Sequence, residues 1–227
     1  MISATTLLWS ANPKLCVKNV ILSRVTTLET QDFEEILNIW NKIRNLGYKK
    51  LRKLLKEIFE NKNTTTFIVR ENGKIVSFAA MDYQNNPKLF IDTPMAGTPS
   101  YNFSIDGTDP NFGGQGHYSK INMERLRSVA AKARAVGPHQ KTHFHTVTQN
   151  PRVYSTTIKT LEALKAEGLI ADYKLRMKLE RKGYFAGENL AKETQTTNNT
   201  EAQRIFSEIN IEQGDAFIFA WEIIPAT

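Results

Sequence analysis

A short loop at residues 111–116, Asn-Phe-Gly-Gly-Gln-Gly, constrains the fold more than any other feature of this sequence. Before it, residues 100–106 alternate apolar and polar side chains, the period of a half-buried strand. After it, apolar residues recur at helical spacing from about His117 to Val136, and Gly137-Pro138 is a strong stop signal. A strand, a glycine-containing loop and a long helix in this order favour a mixed α/β fold.

The rest of the chain predicts further strands and helices that share one sheet. The predicted strands lie at about 19–25, 64–70, 74–83, 141–149, 173–180 and 216–224, and the predicted helices at about 32–43, 48–61 and 151–168. Asp32 is expected to cap the first of these helices, and Asn72-Gly73 to form a tight hairpin turn. Residues 192–200 are polar and predict a turn. We expect an N-terminal arm over 1–18 and a single α/β domain over 19–227.

Composition excludes several classes of protein. The 227 residues contain one cysteine, Cys16, which rules out an intramolecular disulfide framework and a multi-cysteine zinc site. No run of about 18 apolar residues occurs, and no basic segment precedes the first apolar patch, so neither a membrane span nor a secretory signal is expected. We therefore expect a cytoplasmic protein. The net charge of +7 favours an anionic partner, such as nucleic acid, an acidic surface or a phosphate-rich cofactor.

The glycine loop has the chemistry of a phosphate site. Glycines let main-chain N–H groups approach an anion closely, and the helix that follows offers unsatisfied N–H groups and the positive end of its dipole. A Gly-Lys-Ser/Thr ending is absent, which excludes a Walker loop, and the spacing Gly-x-Gly-x-x-Gly is absent as well. Taken alone, the loop is equally compatible with a tight turn that packs the helix on the strand.

Residues 105–137 resemble the acetyl-CoA-binding segment of the GCN5-related N-acetyltransferase (GNAT) superfamily. The signature of that family is Arg/Gln-x-x-Gly-x-Gly/Ala, and here Asn111 stands in the first position, with Gly114 and Gly116 in the glycine positions. Asp109-Pro110 matches the polar residue and proline that commonly precede the loop. The order of elements agrees over about 19–224. A tyrosine that the family often carries in the next helix is Thr157 here, with Tyr154 one turn earlier.

The resemblance implies a fold, a reaction and a set of binding residues. The fold would be a mostly antiparallel twisted sheet flanked by helices, and the reaction a direct transfer of acetyl from acetyl-CoA to an amine in a ternary complex. Main-chain N–H groups of 113–118 would bind the CoA pyrophosphate, and the strand near 104–107 would pair with the pantetheine. The cofactor-binding residues so implied are Ile105, Gly107, Asn111, Gly113, Gly114, Gln115, Gly116, His117, Tyr118 and Asn150.

Such a reaction needs a general base for the acceptor ammonium and an acid for the departing thiolate. Asp106 is the first candidate base, and a turn-forming aspartate before Gly107 is the alternative. Asp109 and Asp82 are further candidates, although Asp82, at the end of a hairpin strand, is expected to be solvated. Tyr154 is the candidate acid, although a packed aromatic at a helix start is an equally ordinary role.

Two histidines on one predicted strand are a separate candidate pair. His143 and His145 are two residues apart, so both face the same side of the strand. They are plausible as a base or as a substrate-contacting pair, with His145 placed among the catalytic candidates. The same spacing suits a metal, but the sequence offers no evident third ligand, so no metal is expected.

The positive charge is concentrated away from the glycine loop. Residues 42–56 carry seven basic side chains and no acid, and on the second helix they lie opposite a leucine stripe. A solvated helix face is the ordinary reading of such a run. An RNA or an acidic protein segment is the functional reading, recognised through Lys49, Lys50, Arg52, Lys53 and Lys56.

Three functions remain open from the sequence. The first is an acetyl-CoA-dependent N-acetyltransferase whose acceptor is an amine on a small molecule or a protein. The second is a non-catalytic GNAT-like protein that binds nucleic acid or an acidic protein through the basic residues 42–56. The third is a related acyltransferase that takes its acyl group from another carrier, such as an aminoacyl-tRNA. The oligomeric state, a dimer included, is not determined by the sequence.

Overall fold

The computed structural model describes residues 19–44, 48–84, 100–137, 141–148, 150–180, 195–196, 199–208 and 216–226. The predicted arm over 1–18, with Cys16, lies outside the described residues. The strands and helices are β1 (Val20–Val25), α1 (Thr30–Arg44), α2 (Tyr48–Phe59), β2 (Thr64–Glu71), β3 (Lys74–Gln84), β4 (Ser100–Thr108), α3 (His117–Val136), β5 (Thr142–Thr148), α4 (Pro151–Ala166), β6 (Ile170–Glu180), β7 (Gln195–Thr196), α5 (Asn199–Glu208) and β8 (Ala216–Pro225). None of the helices in this part of the chain is long and apolar enough to cross a membrane.

The strands form one sheet in the order β1-β2-β3-β4-β5-β8-β6-β7. Among the strand pairs with a described register, β4 and β5 are parallel, whereas β1–β2, β5–β8, β6–β8 and β6–β7 are antiparallel. The predicted fold class, a mixed α/β and mostly antiparallel sheet with helices, is therefore confirmed.

The described residues divide into two compact units, one within 1–80 and 105–121 and the other within 81–104 and 122–227. The first unit contains α1, α2, the glycine loop and the start of α3. The second contains β5, α4, β6, β8 and the remainder of α3. The single domain expected over 19–227 stays a prediction.

The first unit is built on the apolar stripes of α1 and α2. Their buried residues pack with β2, β3 and β4 in one cluster that includes Ile36, Trp40, Leu51, Leu55 and Phe78. Asn72 and Gly73 have φ of 52° and 83°, which confirms the predicted tight turn. The predicted cap at Asp32 is wrong, because α1 begins at Thr30 and Asp32 lies in its first turn. There its carboxylate accepts a hydrogen bond from Arg70 at 2.6 Å instead.

In the second unit one face of the sheet carries a row of aromatic rings. Phe144 stacks on Phe103 and on Trp221, with ring centroids 4.9 and 4.7 Å apart. The guanidinium of Arg125 in α3 lies 4.2 Å above the ring of Phe103, and Tyr154 of α4 packs against Phe219 at 5.4 Å. Helices α3 and α4 therefore contact this aromatic face.

The turn predicted at residues 192–200 is wrong in part. Gln195–Thr196 form β7, which pairs with β6, and α5 begins at Asn199. The start of α5 is polar, and the residue buried there, Ala202, is small. This part of the sequence therefore gives little periodic signal for a helix.

Candidate functional site

The glycine loop begins with a capped turn. Pro110–Phe112 form one turn of 3-10 helix, and the Asp109 side chain caps it by accepting the N–H of Asn111 at 3.0 Å. The N–H of Gly113 closes the turn on the carbonyl of Pro110 at 3.3 Å. Local chemistry of an Asp-Pro-Asn sequence therefore fixes the first half of the loop.

The second half of the loop depends on two glycines in a left-handed conformation. Gly114 and Gly116 have φ of 76° and 75°, and a Cβ atom built on either would meet nothing within 4 Å. Glycine is needed here for the backbone angle rather than for space, because other residues rarely adopt positive φ. The open space beside both Cα atoms leaves room for a ligand against the main chain.

Helix α3 starts directly after these glycines, at His117. As at any helix N-terminus, the N–H groups of its first turn have no acceptor within the helix, and the dipole favours an anion there. The His117 side chain is buried, and its Nε2 lies 3.5 Å from Oε2 of Glu71, which is buried as well. The main chain of the loop and of the first turn thus fits an anionic group such as a pyrophosphate.

The end of β4 leads into this loop under tight packing. Gly107 admits no Cβ without displacement, because the atom would lie 2.8 Å from Cδ1 of Ile43 and 2.9 Å from Cε1 of Phe78. Ser77 Oγ donates to the carbonyl of Gly107 at 3.1 Å. Ile105 belongs to the core cluster of the first unit, and Asp106 between them is half-buried.

Asp109 is occupied on both carboxylate oxygens. Oδ1 accepts from Asn111, and Oδ2 accepts from Nζ of Lys42 in α1 at 2.7 Å. Burial raises the pKa of Asp109, but the hydrogen bonds and charge of Lys42, together with Asn111, outweigh this and lower it. A carboxylate held in this way is a poor proton acceptor, so Asp109 supports the loop.

In the second unit β4 and β5 pair in parallel only near their starts. The described register joins Ser100–Asn102 to His143–His145. At the next position Oγ1 of Thr146 donates to the carbonyl of Phe103 at 3.2 Å. A side chain thus bonds across the two strands at this point.

His145 is buried beside Ser100. Nδ1 of His145 and Oγ of Ser100 are 2.7 Å apart, and burial lowers the pKa of this histidine to about 4. Burial also lowers the pKa of His143; Lys141 and Arg176 add to this effect, whereas Glu222, whose Oε2 lies 3.7 Å from His143 Nε2, opposes it. Both candidate histidines are thus neutral at pH 7.

The register places the two histidines on the sheet face opposite the aromatic rings. His145 pairs with Ala220, which pairs with Arg176, and His143 pairs with Glu222, which pairs with Lys174. Directly paired residues share a face, and neighbours along a strand alternate. We call this surface, formed by Ser100, Asn102, His143, His145, Ala220, Glu222, Lys174 and Arg176, the polar face.

Tyr154 and His145 are not brought together on one face. Tyr154 packs against Phe219 on the aromatic face, whereas His145 lies on the polar face. Burial raises the pKa of Tyr154 to about 12, so its hydroxyl keeps its proton at neutral pH. The catalytic roles of Asp106, Tyr154 and His145 stay predictions.

Asp82 departs from its expected environment. It is buried, not solvated, and its two oxygens accept from Nδ2 of Asn102 at 3.1 Å and from Nε2 of Gln84 at 2.9 Å. Its position in β3, whose return strand was expected to end at Tyr83, brings it beside β4. The expectation of a solvated Asp82 is therefore wrong, because strand pairing covers it.

Asn150 begins α4 as its N-cap. Its Oδ1 accepts the N–H of Arg152 at 3.0 Å, and Pro151 follows at the first helical position. The side chain of Asn150, a residue that the resemblance implies for cofactor binding, thus already caps a helix, and the cofactor role stays a prediction.

The basic stretch at residues 42–56 is largely ion-paired. Four of its side chains contact carboxylates that come from outside the stretch: Lys42–Asp109 at 2.7 Å, Arg52–Glu34 at 2.6 Å, Lys53–Glu57 at 3.9 Å and Lys56–Glu60 at 3.6 Å. Lys49 and Lys50 are exposed. The pairing reduces the local positive charge, so recognition of RNA or an acidic protein through this stretch stays a prediction.

The position of Lys42 at the loop was not revealed by the sequence. Its charge was grouped with the basic stretch, although it contacts a residue 67 positions further along the chain. The only local signal was Asp109, whose cap position left one carboxylate oxygen for a second donor.

No protein-family model and no curated protein sequence matches the chain significantly. Solved structures are similar at low identity. One is the ribosomal-protein-S18-alanine N-acetyltransferase from Escherichia coli, with 15% identity, a TM-score of 0.48, and coverage of 91% of this chain and 97% of that one. A second is described as a putative GNAT acetyltransferase from Desulfovibrio desulfuricans, with 13% identity, a TM-score of 0.45, and coverage of 92% and 99%.

A third is an aminoglycoside N-acetyltransferase solved in complex with CoA, with 14% identity, a TM-score of 0.46, and coverage of 68% of this chain and 90% of that one. Likeness at this level concerns the fold and identifies neither a reaction nor an acceptor.

Proposed function

We propose that this protein is an acetyl-CoA-dependent N-acetyltransferase. The observation that carries the proposal is the capped loop with two left-handed glycines, Gly114 and Gly116, directly before the N-terminus of α3. This arrangement suits a pyrophosphate, and it lies in the segment that resembles the acetyl-CoA-binding segment of the GNAT superfamily.

The residues present fit the cofactor. Main-chain N–H groups of residues 113–118 would bind its pyrophosphate, next to open space at both glycines. The resemblance adds the end of β4, from Ile105 to Gly107, for the pantetheine, and Asn111 and Asn150 as supporting side chains. When bound, acetyl-CoA supplies an acetyl group on a thioester that an amine can attack.

The proposed reaction needs a side chain that accepts a proton from the acceptor amine, and the candidates differ in how well they suit this role. An acceptor ammonium must lose a proton, and a base works best when its pKa lies near the working pH. His145 is neutral but, with a pKa of about 4, has a weak drive to take that proton. We favour Asp106 as the base on its position instead, because it is half-buried at the end of β4, where the chain enters the glycine loop.

Tyr154 is proposed as the proton donor to the leaving thiolate. Its hydroxyl is protonated at neutral pH, as a donor must be, and burial, which raises its pKa to about 12, makes it hold that proton more tightly. The thiolate is weakly basic, so the demand on this acid is small. The acceptor is proposed as an amine of a small molecule or of a protein.

Calorimetric titration with acetyl-CoA tests the proposal, followed by a thiol-release assay with a panel of amines. We expect saturable binding with a Kd well below about 1 mM, because a cofactor site that binds more weakly than this has little use. Absence of binding at that concentration would overturn the proposal. Binding without thiol release for any amine would favour the non-catalytic GNAT-like alternative.

A further inference from the structure

The junction between β4 and the glycine loop is tied to the last turn of α1. Lys42 and Ile43 are consecutive residues near the end of that helix (Thr30–Arg44). Nζ of Lys42 contacts the carboxylate of Asp109. Cδ1 of Ile43 packs against Gly107, so closely that a Cβ on that glycine would lie 2.8 Å from it. Two adjacent residues of α1 therefore contact the chain on either side of Thr108, just before the loop.

Hydrogen bonds of Asp109 connect the end of α1 to the turn that begins the glycine loop. The N–H of Asp109 donates to the carbonyl of Val76 in β3 at 2.8 Å, and its own carbonyl accepts the N–H of Phe112 at 2.8 Å. Its Oδ1 caps Asn111, and its Oδ2 accepts from Lys42. The residue thus joins β3, the 3-10 turn and α1.

The Lys42–Asp109 contact differs from an ordinary surface ion pair. At 2.7 Å it has the length of a charge-assisted hydrogen bond, and the Asp109 side chain is only 12% exposed. Removing the lysine would leave a mostly buried carboxylate without its cationic partner. A buried charge that has lost its partner is costly, so the turn around it should rearrange.

We propose that Lys42 is a positioning residue for the cofactor loop, holding through Asp109 the turn from which the main-chain N–H groups of residues 113–118 bind the anionic part of the cofactor. This inference rests on the proposed function. Lys42 is therefore distinct in role from the exposed lysines of α2, with which the sequence groups it.

Two variants separate positioning from simple charge attraction. Lys42→Met removes a cation and would weaken anion binding on either account. Asp109→Asn removes a negative charge near the loop, so charge attraction alone predicts tighter binding of an anion. Positioning predicts weaker binding, because the Lys42–Asp109 ion pair is lost, although an asparagine oxygen can still cap the turn.

The experiment measures acetyl-CoA affinity by calorimetry and amide hydrogen exchange of residues 111–118 by mass spectrometry on the full chain. We expect Lys42→Met and Asp109→Asn each to weaken binding about fivefold to tenfold and to speed exchange of the loop amides. Lys42→Arg should restore most of the affinity and most of the exchange protection. In turnover assays Lys42→Met and Asp109→Asn should raise KM for acetyl-CoA with little change in kcat.

The matched control is Lys165→Met, which breaks another lysine–aspartate pair, Lys165–Asp172 at 3.0 Å, with a lysine side chain of similar exposure. It should change neither affinity nor loop exchange. The inference is overturned if Asp109→Asn binds acetyl-CoA as tightly as the wild type, or if loop exchange is unaltered in both variants. If the wild type itself does not bind acetyl-CoA, the proposed function fails and the exchange data alone decide the role of Lys42.

Discussion

The glycine loop of the first unit and the polar face of the second unit use polar groups in opposite ways. In the loop the groups proposed to bind a ligand are main-chain N–H groups beside exposed glycines, and the charged side chains Lys42 and Asp109 form an ion pair with each other. On the polar face the polar groups are side chains, and burial keeps His143 and His145 neutral.

The difference separates anion binding from proton chemistry. A loop that binds through backbone amides uses groups that do not titrate, so its binding should persist in acid until Asp109, whose pKa is lowered, takes up a proton. Buried histidines respond to acid instead, because the folded protein resists charging them. Substitutions in the loop should therefore change affinity, whereas substitutions on the polar face should change the dependence of stability on pH.

The largest effect is expected for Gly114→Glu. A glutamate at φ of 76° strains the backbone and places a carboxylate where the pyrophosphate would bind, so acetyl-CoA affinity should fall about a thousandfold. The control is Gly73→Glu, at φ of 83° in the hairpin turn, where a Cβ likewise meets nothing within 4 Å. Equal affinity losses in the two variants, measured by calorimetry, would contradict a binding role for the loop.

The next effect is acid destabilisation through His145. Burial lowers its pKa from 6.5 to about 4, so the unfolded chain takes up the proton first as the pH falls. The contribution of neutral His145 to the free energy of unfolding is fully present above about pH 6.5. About 3 kcal/mol of it is lost as the pH falls from about 6.5 to 4.

Urea denaturation over this range checks that expectation, with His145→Gln as the comparison. The variant should show a shallower loss of stability with acid, the remainder coming from other groups such as His143, whose pKa is lowered too. An unchanged pH profile would show that His145 is not held neutral by burial.

A smaller effect is expected where β4 enters the loop. Gly107→Ala would place a Cβ 2.8 Å from Ile43 and 2.9 Å from Phe78, and overpacking of this kind costs about 2 kcal/mol. Shortening the neighbour in the double variant Gly107→Ala/Ile43→Val should recover part of the free energy of unfolding. If the effects of Gly107→Ala and Ile43→Val on the free energy of unfolding are strictly additive, the two side chains do not interact, and the contact is contradicted.

The smallest effect concerns the N-cap of α4. Asn150→Ala should lower the free energy of unfolding by about 1 kcal/mol, and Asn150→Asp should restore it, because aspartate also caps. Acetyl-CoA affinity of the Asp variant then tests the cofactor role predicted for Asn150. Full recovery of stability with lost affinity would support that role, and recovery of both would limit Asn150 to capping.

Much of the fold follows from periodicity along the chain. The bounds of α3, His117–Val136, agree with the prediction, as do the Asn72-Gly73 turn and the helix that starts at Pro151. These features depend on neighbours within a few residues, where apolar spacing and turn chemistry are strong signals. Helix α5 escaped prediction because its start is polar and buries little.

The candidate site was predictable only where it is local. The glycine positions and the cap at Asp109 can be read from consecutive residues. The pairs Lys42–Asp109, Asp82–Asn102 and His145–Ser100 cannot, because the two residues of each pair lie far apart in the chain. Side-chain charge in a sequence does not say which carboxylate or amide will meet it after folding.

The sequence by itself determined that this chain forms a mixed α/β sheet with an uncharged glycine loop before a long helix, because backbone preference and apolar period are local properties. Tertiary structure decided which charges are neutralised, which histidines are buried, and that Tyr154 and His145 lie on opposite faces of the sheet. The physical reason is that burial and ion pairing depend on strand register and helix packing, which join residues far apart in the chain.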